Sequence, residues 1–244
     1  MKTKSQFRLL SLFLVANLLL FNYSCNPNDP NNPTSSGTVK DIDGNVYHYI
    51  TIGTQAWMIE NLKTTKYNDG TAIPLVTDNT AWAALSTPAY CWYNNDAATY
   101  KNTYGALYNW YSVNTAKLAP KGWHVANDAD WTSLENYVSA NLGISGNEAK
   151  ALAATINWTS STNTGAIVND LTKNNSSGFS ALPGGSRYFA DSFFFVGENG
   201  YWWSSSEYGA NHAGYWSLSY YYSTVYRYGI GGKEGGFSVR CVRD

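Results

Sequence analysis

Gly200-Tyr201-Trp202-Trp203-Ser204-Ser205-Ser206-Glu207-Tyr208 sets three aromatic rings against three serines and a carboxylate. Either the rings pack in a core or they form a platform offered to a ligand. The surrounding tract sharpens the question. Sixteen of the 45 residues 186–230 are Phe, Trp or Tyr, against 16% aromatic across the chain. Each buried tyrosine must find a partner for its hydroxyl, so a core rarely needs this many.

Alternation divides the rings downstream. In Tyr215-Trp216-Ser217-Leu218-Ser219-Tyr220-Tyr221-Tyr222, a strand would place Trp216, Leu218, Tyr220 and Tyr222 on one face. The other face would carry Tyr215, Ser217, Ser219 and Tyr221. The first reads as core and the second as an exposed tyrosine and serine surface. Tyr, Ser, Gly and Asn also dominate binding loops, because tyrosine gives contact area at low entropic cost. Glu207, Asn211, Tyr215, Tyr221, Tyr226, Arg227 and Tyr228 are therefore the candidate ligand-binding residues, acting by stacking and hydrogen bonding.

The segment upstream of this tract carries strands first, then helices. Thr38-Val39-Lys40 and Val46-Tyr47-His48-Tyr49-Ile50 flank Asp41-Ile42-Asp43-Gly44-Asn45, an Asp-Gly hairpin signal. The same residues resemble the start of a calcium loop, but Gln55 and Ala56 stand where its closing glutamate belongs. Asp78 to Leu85 predicts one helical turn with Trp82 inward. Tyr104 to Tyr111 predicts a core segment, helix or strand. Asn127 or Asp128 caps a helix to about Asn141, with Trp131, Leu134 and Val138 on one face and Gly143 as its stop. A second helix is expected over 147–156, with Ala149, Leu152, Ala153 and Ile156 on one side. Beyond Trp158 no helical period remains, and Gly184-Gly185-Ser186 reads as a turn. Strands near both ends predict that the termini pair.

The first residues belong to no fold. Lys2, Lys4 and Arg8 precede an apolar run from Leu9 to Phe21, which ends at Ser24-Cys25. This is the pattern of a signal peptide over 1–24, with Cys25 as a lipidated first residue. Residues 25–37 contain too few apolar groups to offset ordering and predict a flexible tether. Losing residues 1–24 removes three basic residues and no acid, so 16 basic against 17 acidic becomes 13 against 17. With sparse, mixed charge and no basic stripe, nucleic acid is not an expected partner.

No H-E-x-x-H or C-x-x-C spacing occurs, so no metal site is assigned. His48, His124 and His212 lie far apart, and His124 reads as structural. Gly229 to Gly236 lacks the ending of a phosphate loop. The scattered carboxylates allow a glycan hydrolase without supporting one. Cys91 and Cys241 remain after Cys25, either bridged in an oxidising compartment or as two buried thiols.

DIDGNVYHYITIGTQAWMIENLKTTKYNDGTAIP, AYCWYNND, YGALYNWY, GWHV, GFSALPGGSRY, GYWWSSSE and GFSVRCVRD occur in this order over residues 38–244. The set resembles the Fibrobacter succinogenes major paralogous domain. The resemblance implies a secreted or surface-anchored bacterial protein, and an α+β, single C-type lectin-like domain with two helices, paired terminal strands and a long aromatic loop and strand region. Related folds include the formylglycine-generating-enzyme type, whose copper-pairing residues have no match here, and that activity is not carried over. Related folds also use calcium, and a site built from backbone oxygens leaves no spacing to read. Many relatives place a cysteine just before Gly-Trp-His-Val. This chain has Leu118-Ala119-Pro120-Lys121-Gly122 there, which implies that Cys241 lacks the family's partner.

The expectation is a lipoprotein of the cell envelope, at the outer-membrane surface and touching the membrane through its lipid alone. Its single domain, 38–244, is expected to bind an extracellular polysaccharide or protein without catalysis and without a cofactor. The alternatives are a glycan hydrolase using paired carboxylates and a structural surface component. Within the opening motif, Trp202 and Trp203 are expected to pack, while Glu207 lies near a site.

Overall fold

The computed structural model describes residues 36–142, 146–163, 166–188 and 192–244, with the backbone alone at 228–230. The expected signal peptide (1–24), Cys25, most of the tether and Gly143 lie outside the described residues. The Asp-Gly hairpin forms: β1 (Ser36–Lys40) pairs antiparallel with β2 (Val46–Ile52), Thr38 opposite His48. Gly44 takes φ +82°, where L side chains strain. Asp41 closes the turn by accepting from the Asn45 backbone N–H at 2.9 Å and from Tyr47 Oη at 2.6 Å. Pairing starts at Ser36, so the last two residues assigned to the tether already belong to the sheet.

β3 (Gln55–Met58) follows, and then α1 (Asn79–Ala83), capped by Asp78, buries Trp82 as expected. β4 (Tyr90–Cys91) pairs with β5 (Leu107–Tyr108), and α2 (Ala97–Tyr104) lies between them. No residue of α2 is buried. It therefore has no apolar stripe to read, and its sequence gives no periodic signal. α3 (Trp110–Val113) completes a stretch that is both strand and helix.

β6 (Trp123–Val125) leads into α4 (Asp128–Asn141). Asn127 caps α4 and Asp130 returns the bond to the Asn127 N–H, a capping box that satisfies otherwise orphaned donors. Trp131, Leu134 and Val138 are its buried residues, as the spacing predicts. α5 (Glu148–Leu152) stops short of the expected 156, and Ile156 is exposed. The expected turn at Gly184 is instead β7 (Gly184–Arg187), fully buried. The remaining strands are β8 (Phe193–Val196), β9 (Asn199–Glu207), β10 (His212–Ser219), β11 (Tyr226–Gly232) and β12 (Cys241–Arg243).

These elements make a mixed α+β fold of three sheets. One runs β1-β2-β3-β12-β6, and a second runs β11-β10-β9-β7-β8, with β7 and β9 parallel. The third is the β4-β5 pair. The two ends of the domain share the first sheet, but β12 pairs with β3 and β6 rather than with β1. The segment before β12 ties the sheets together. Gly236 bridges Arg187, Phe237 bridges Tyr108, and Ser238 bridges Trp202. A Cβ on Gly236 would lie 3.0 Å from Arg187 Cβ and 3.1 Å from the Trp82 ring, so this crossing is closed to larger residues.

Two principal cores result, and neighbouring residues on one strand enter different ones. Trp203, Tyr215 and Met58 join the core around Tyr108, Trp110 and Phe237. Trp202, Trp216 and Trp57 join the other, around Trp131, Leu134 and Phe179. The middles of β9 and β10 are thus buried on both faces. Alternation there separates two interiors, not inside from outside.

Candidate binding site

The opening motif is packing. Trp202 and Trp203 are both buried, and each indole N–H has a partner: Trp202 donates to Asn61 Oδ1 at 2.8 Å, Trp203 to the Tyr108 carbonyl at 2.7 Å. Asn61 is the hub. Its Oδ1 also accepts from Arg240 Nε at 2.7 Å, and its Nδ2 donates to the Tyr104 carbonyl and to Ser238 Oγ. Arg240 is completely buried and donates further to the Met58, Phe179 and Ser180 carbonyls, beneath the Phe179 ring. Burial pulls its pKa down to about 9, still above neutrality.

Two further cations are buried on the same plan. Arg187 donates to the Val76 and Thr77 carbonyls and to Asn79 Oδ1, with its guanidinium 4.4 Å from the Trp82 ring centroid. Lys233 bonds Glu207 and the Ala210 carbonyl, above Trp110. Carbonyl oxygens and ring faces compensate these charges, and only Lys233 has a carboxylate. Nothing in the local sequence marks these three as interior.

The exposed counterpart lies where β10 ends. Strand pairing stops at Ser219, the chain turns with Tyr222 N–H donating to the Ser219 carbonyl, and alternation lapses. Tyr221 and Tyr222 are each 48% exposed. Their rings form an edge-to-face ladder: Tyr220 to Tyr221 at 5.9 Å, Tyr221 to Tyr222 at 5.4 Å, and Tyr222 to Tyr226 at 5.0 Å. Asn163 steadies the turn by donating from Nδ2 to the Tyr221 carbonyl at 3.3 Å. Tyr222, expected on the core face, is on the surface because it follows the strand rather than belonging to it.

Over residues 50–243 the chain matches the Fibrobacter succinogenes major domain. The chain belongs to this family. No curated protein and no solved structure matches the chain. Within this major domain, the hydrogen bonds of Asn61 to Trp202 and Arg240 join three of the quoted motifs.

The domain divides the seven candidate residues. Tyr215 is 8% exposed and packs 4.9 Å from Phe237, so its ring is not offered to solvent. Tyr221 is exposed, and Tyr226 is half-buried beneath Tyr222. Glu207 and Asn211 sit at the far end of β10, Glu207 paired with Lys233 and the Asn211 carbonyl accepting from the Lys233 N–H. Eight residues of strand separate the two ends, roughly 23 Å at the usual rise. One sugar ring cannot reach both. Arg227 faces α4 and bonds Asp128 and Tyr208. Burial raises the Asp128 pKa, but the bonds from Tyr208 and Arg227 outweigh it and hold the carboxyl below its usual range. Tyr228 is opposite Tyr215 on β11, and its side chain lies outside the described residues.

Cys91 and Cys241 are both free and buried, which excludes the bridge between them. Cys91 lies in the small core with Trp82, and Cys241 in the core around Tyr108. Burial pushes the Cys91 thiol up to about 12 and the Cys241 thiol higher, so neither is a ready thiolate. His124 is structural, its Nδ1 2.7 Å from Asp244 and its Nε2 3.0 Å from Asp130. Among the described residues no cluster of His, Cys, Asp and Glu could hold a metal ion.

Proposed function

We propose that the domain is a non-catalytic binding module, carried on a lipid-anchored protein of the cell envelope, for an extracellular polysaccharide. The observation that carries this reading is the ladder of Tyr221, Tyr222 and Tyr226, half open to solvent at the turn between β10 and β11. Flat rings of this kind stack on the apolar faces of sugars, and short tyrosine side chains lose little entropy in doing so. Ser219, Ser223 and Thr224 border the ladder and supply hydrogen-bonding groups suited to hydroxyls. A C-type lectin-like ancestry for the scaffold belongs to the same proposal, supported by the two chain ends meeting in one sheet. A protein ligand is the alternative occupant of the ladder.

The hydrolase reading has one favourable observation. Burial raises the pKa of Glu135, and the charge of Glu148 adds to it, as a general acid requires. However, the cavity beside Glu135 holds about 10 Å³, the room of one water, walled by Trp131, Trp202 and Trp216. That cavity is too small for a sugar ring.

Glycan-array binding of the purified protein tests the reading. Binding to a polysaccharide is expected, with loss in Tyr221→Ala/Tyr222→Ala while the protein stays folded. Retention of an envelope protein but no glycan would move the ligand to the protein class. Binding of neither would overturn the proposal. Radiolabelled fatty acid, incorporated by the intact chain and not by Cys25→Ala, tests the anchor.

A further inference from the structure

A second concavity lies at the other end of the same sheet, away from the ladder. It has a volume of about 370 Å³ and is lined by Tyr188, His212, Gly231, Gly232, Glu234, Gly235 and Phe237. This lies within the size range of small-molecule sites. Each wall has a distinct chemistry. Phe237 is a buried floor, locked against Trp203 and Tyr215. Tyr188 is 39% exposed and meets Phe194 edge to face, 6.2 Å between centroids.

The polar side chains of the wall are Glu234 and His212. The Glu234 carbonyl accepts from Trp82 Nε1 at 2.8 Å, which fixes the residue at its backbone. Its carboxylate lies over Gly232, where a Cβ would come within 2.6 Å of Glu234 Oε1. Only glycine at 232 lets the carboxylate rest there. Among the described residues, no side chain or backbone group hydrogen-bonds the Glu234 carboxylate or the His212 ring. No lining residue is lysine or arginine. The nearby cations Arg187 and Lys233 are buried and already bonded. An anionic ligand would meet a carboxylate here and no free cation.

We propose that this concavity binds one neutral sugar residue. Its apolar face would stack on Tyr188, and vicinal hydroxyls would donate to the Glu234 carboxylate and bond His212. The proposal stands on this concavity alone and does not depend on the tyrosine ladder.

The chain has three histidines, so the ring protons of each can be assigned by single substitution. The intact protein is titrated separately with glucose, galactose, mannose, xylose and N-acetylglucosamine, and with methylammonium as a cation control. At least one sugar is expected to shift the His212 signals saturably, with a Kd on the order of millimolar. The His48 and His124 signals should stay fixed. Glu234→Gln and Tyr188→Ala should each weaken that sugar about tenfold, with unchanged His48 and His124 signals reporting an intact fold. Tyr221→Ala/Tyr222→Ala should leave the titration unchanged, so failure here and failure of the ladder are distinguishable. No His212 shift with any sugar up to roughly 100 mM would overturn the proposal. So would a response to methylammonium alone, or an equal sugar response in both variants.

Discussion

The middle of β10 and its end have nearly the same composition and opposite fates. Tyr215 and Trp216 lie between β9 and β11, where each face of the sheet meets a different core. Tyr221 and Tyr222 lie two and three residues past Ser219, the last residue of β10 that pairs with β9, and they face water. Ring type does not decide which tyrosines are available. The number of layers stacked on the strand does. Where two layers close on it, even tyrosine is drawn in. Where the strand loses its neighbours, the same residue becomes surface.

The largest test of this contrast is at the hub. Asn61→Ala would strand the Trp202 indole N–H and Arg240 Nε and free the Tyr104 carbonyl, all in the interior. A loss of about 3–5 kcal/mol is expected in denaturant unfolding. Trp202→Ala should cost a similar amount through the cavity it leaves. Tyr215→Ala is the sharper probe, because the strand's alternation alone puts Tyr215 on the surface. Its burial predicts a loss of about 3 kcal/mol, and a change near zero would break the contrast. Reductant should leave the unfolding midpoint unmoved, since both cysteines are free.

Much of this was readable and some was not, for reasons that particular residues make plain. The hairpin at Asp43-Gly44, the single turn that buries Trp82 and the helix capped at Asn127 each depend on local chemistry, and local chemistry is written in order along the chain. The packing of Trp202 and Trp203 was also legible from the family resemblance of the motif that holds them. Tyr215 was not, because period-two alternation cannot distinguish water from a second core. Nor were Arg187, Arg240 and Lys233, whose compensating carbonyls come from distant segments. The concavity at Glu234 needs three segments to meet, and no spacing along the chain records that.

A smaller effect is expected at the join between the first sheet and α4. Partial burial pulls the His124 pKa down, but the bonds to Asp244 and Asp130 outweigh it and the ring ends above its ordinary value. The protonated ring is therefore favoured in the folded state. Its contribution is full below the free imidazole value, about 6.5, and is lost as pH rises through the higher folded value. The thermal midpoint should fall as pH rises above neutrality, and His124→Gln should flatten that slope. The smallest effect on stability belongs to the ladder: Tyr221→Ala/Tyr222→Ala should change it by less than about 0.5 kcal/mol.

The measurement that tests the account most directly is polysaccharide binding and thermal unfolding read together on that double variant. An unchanged melting transition with binding abolished is expected. A variant that melts early would show the ladder to be framework, and one that melts normally and still binds would show that the ligand is held elsewhere.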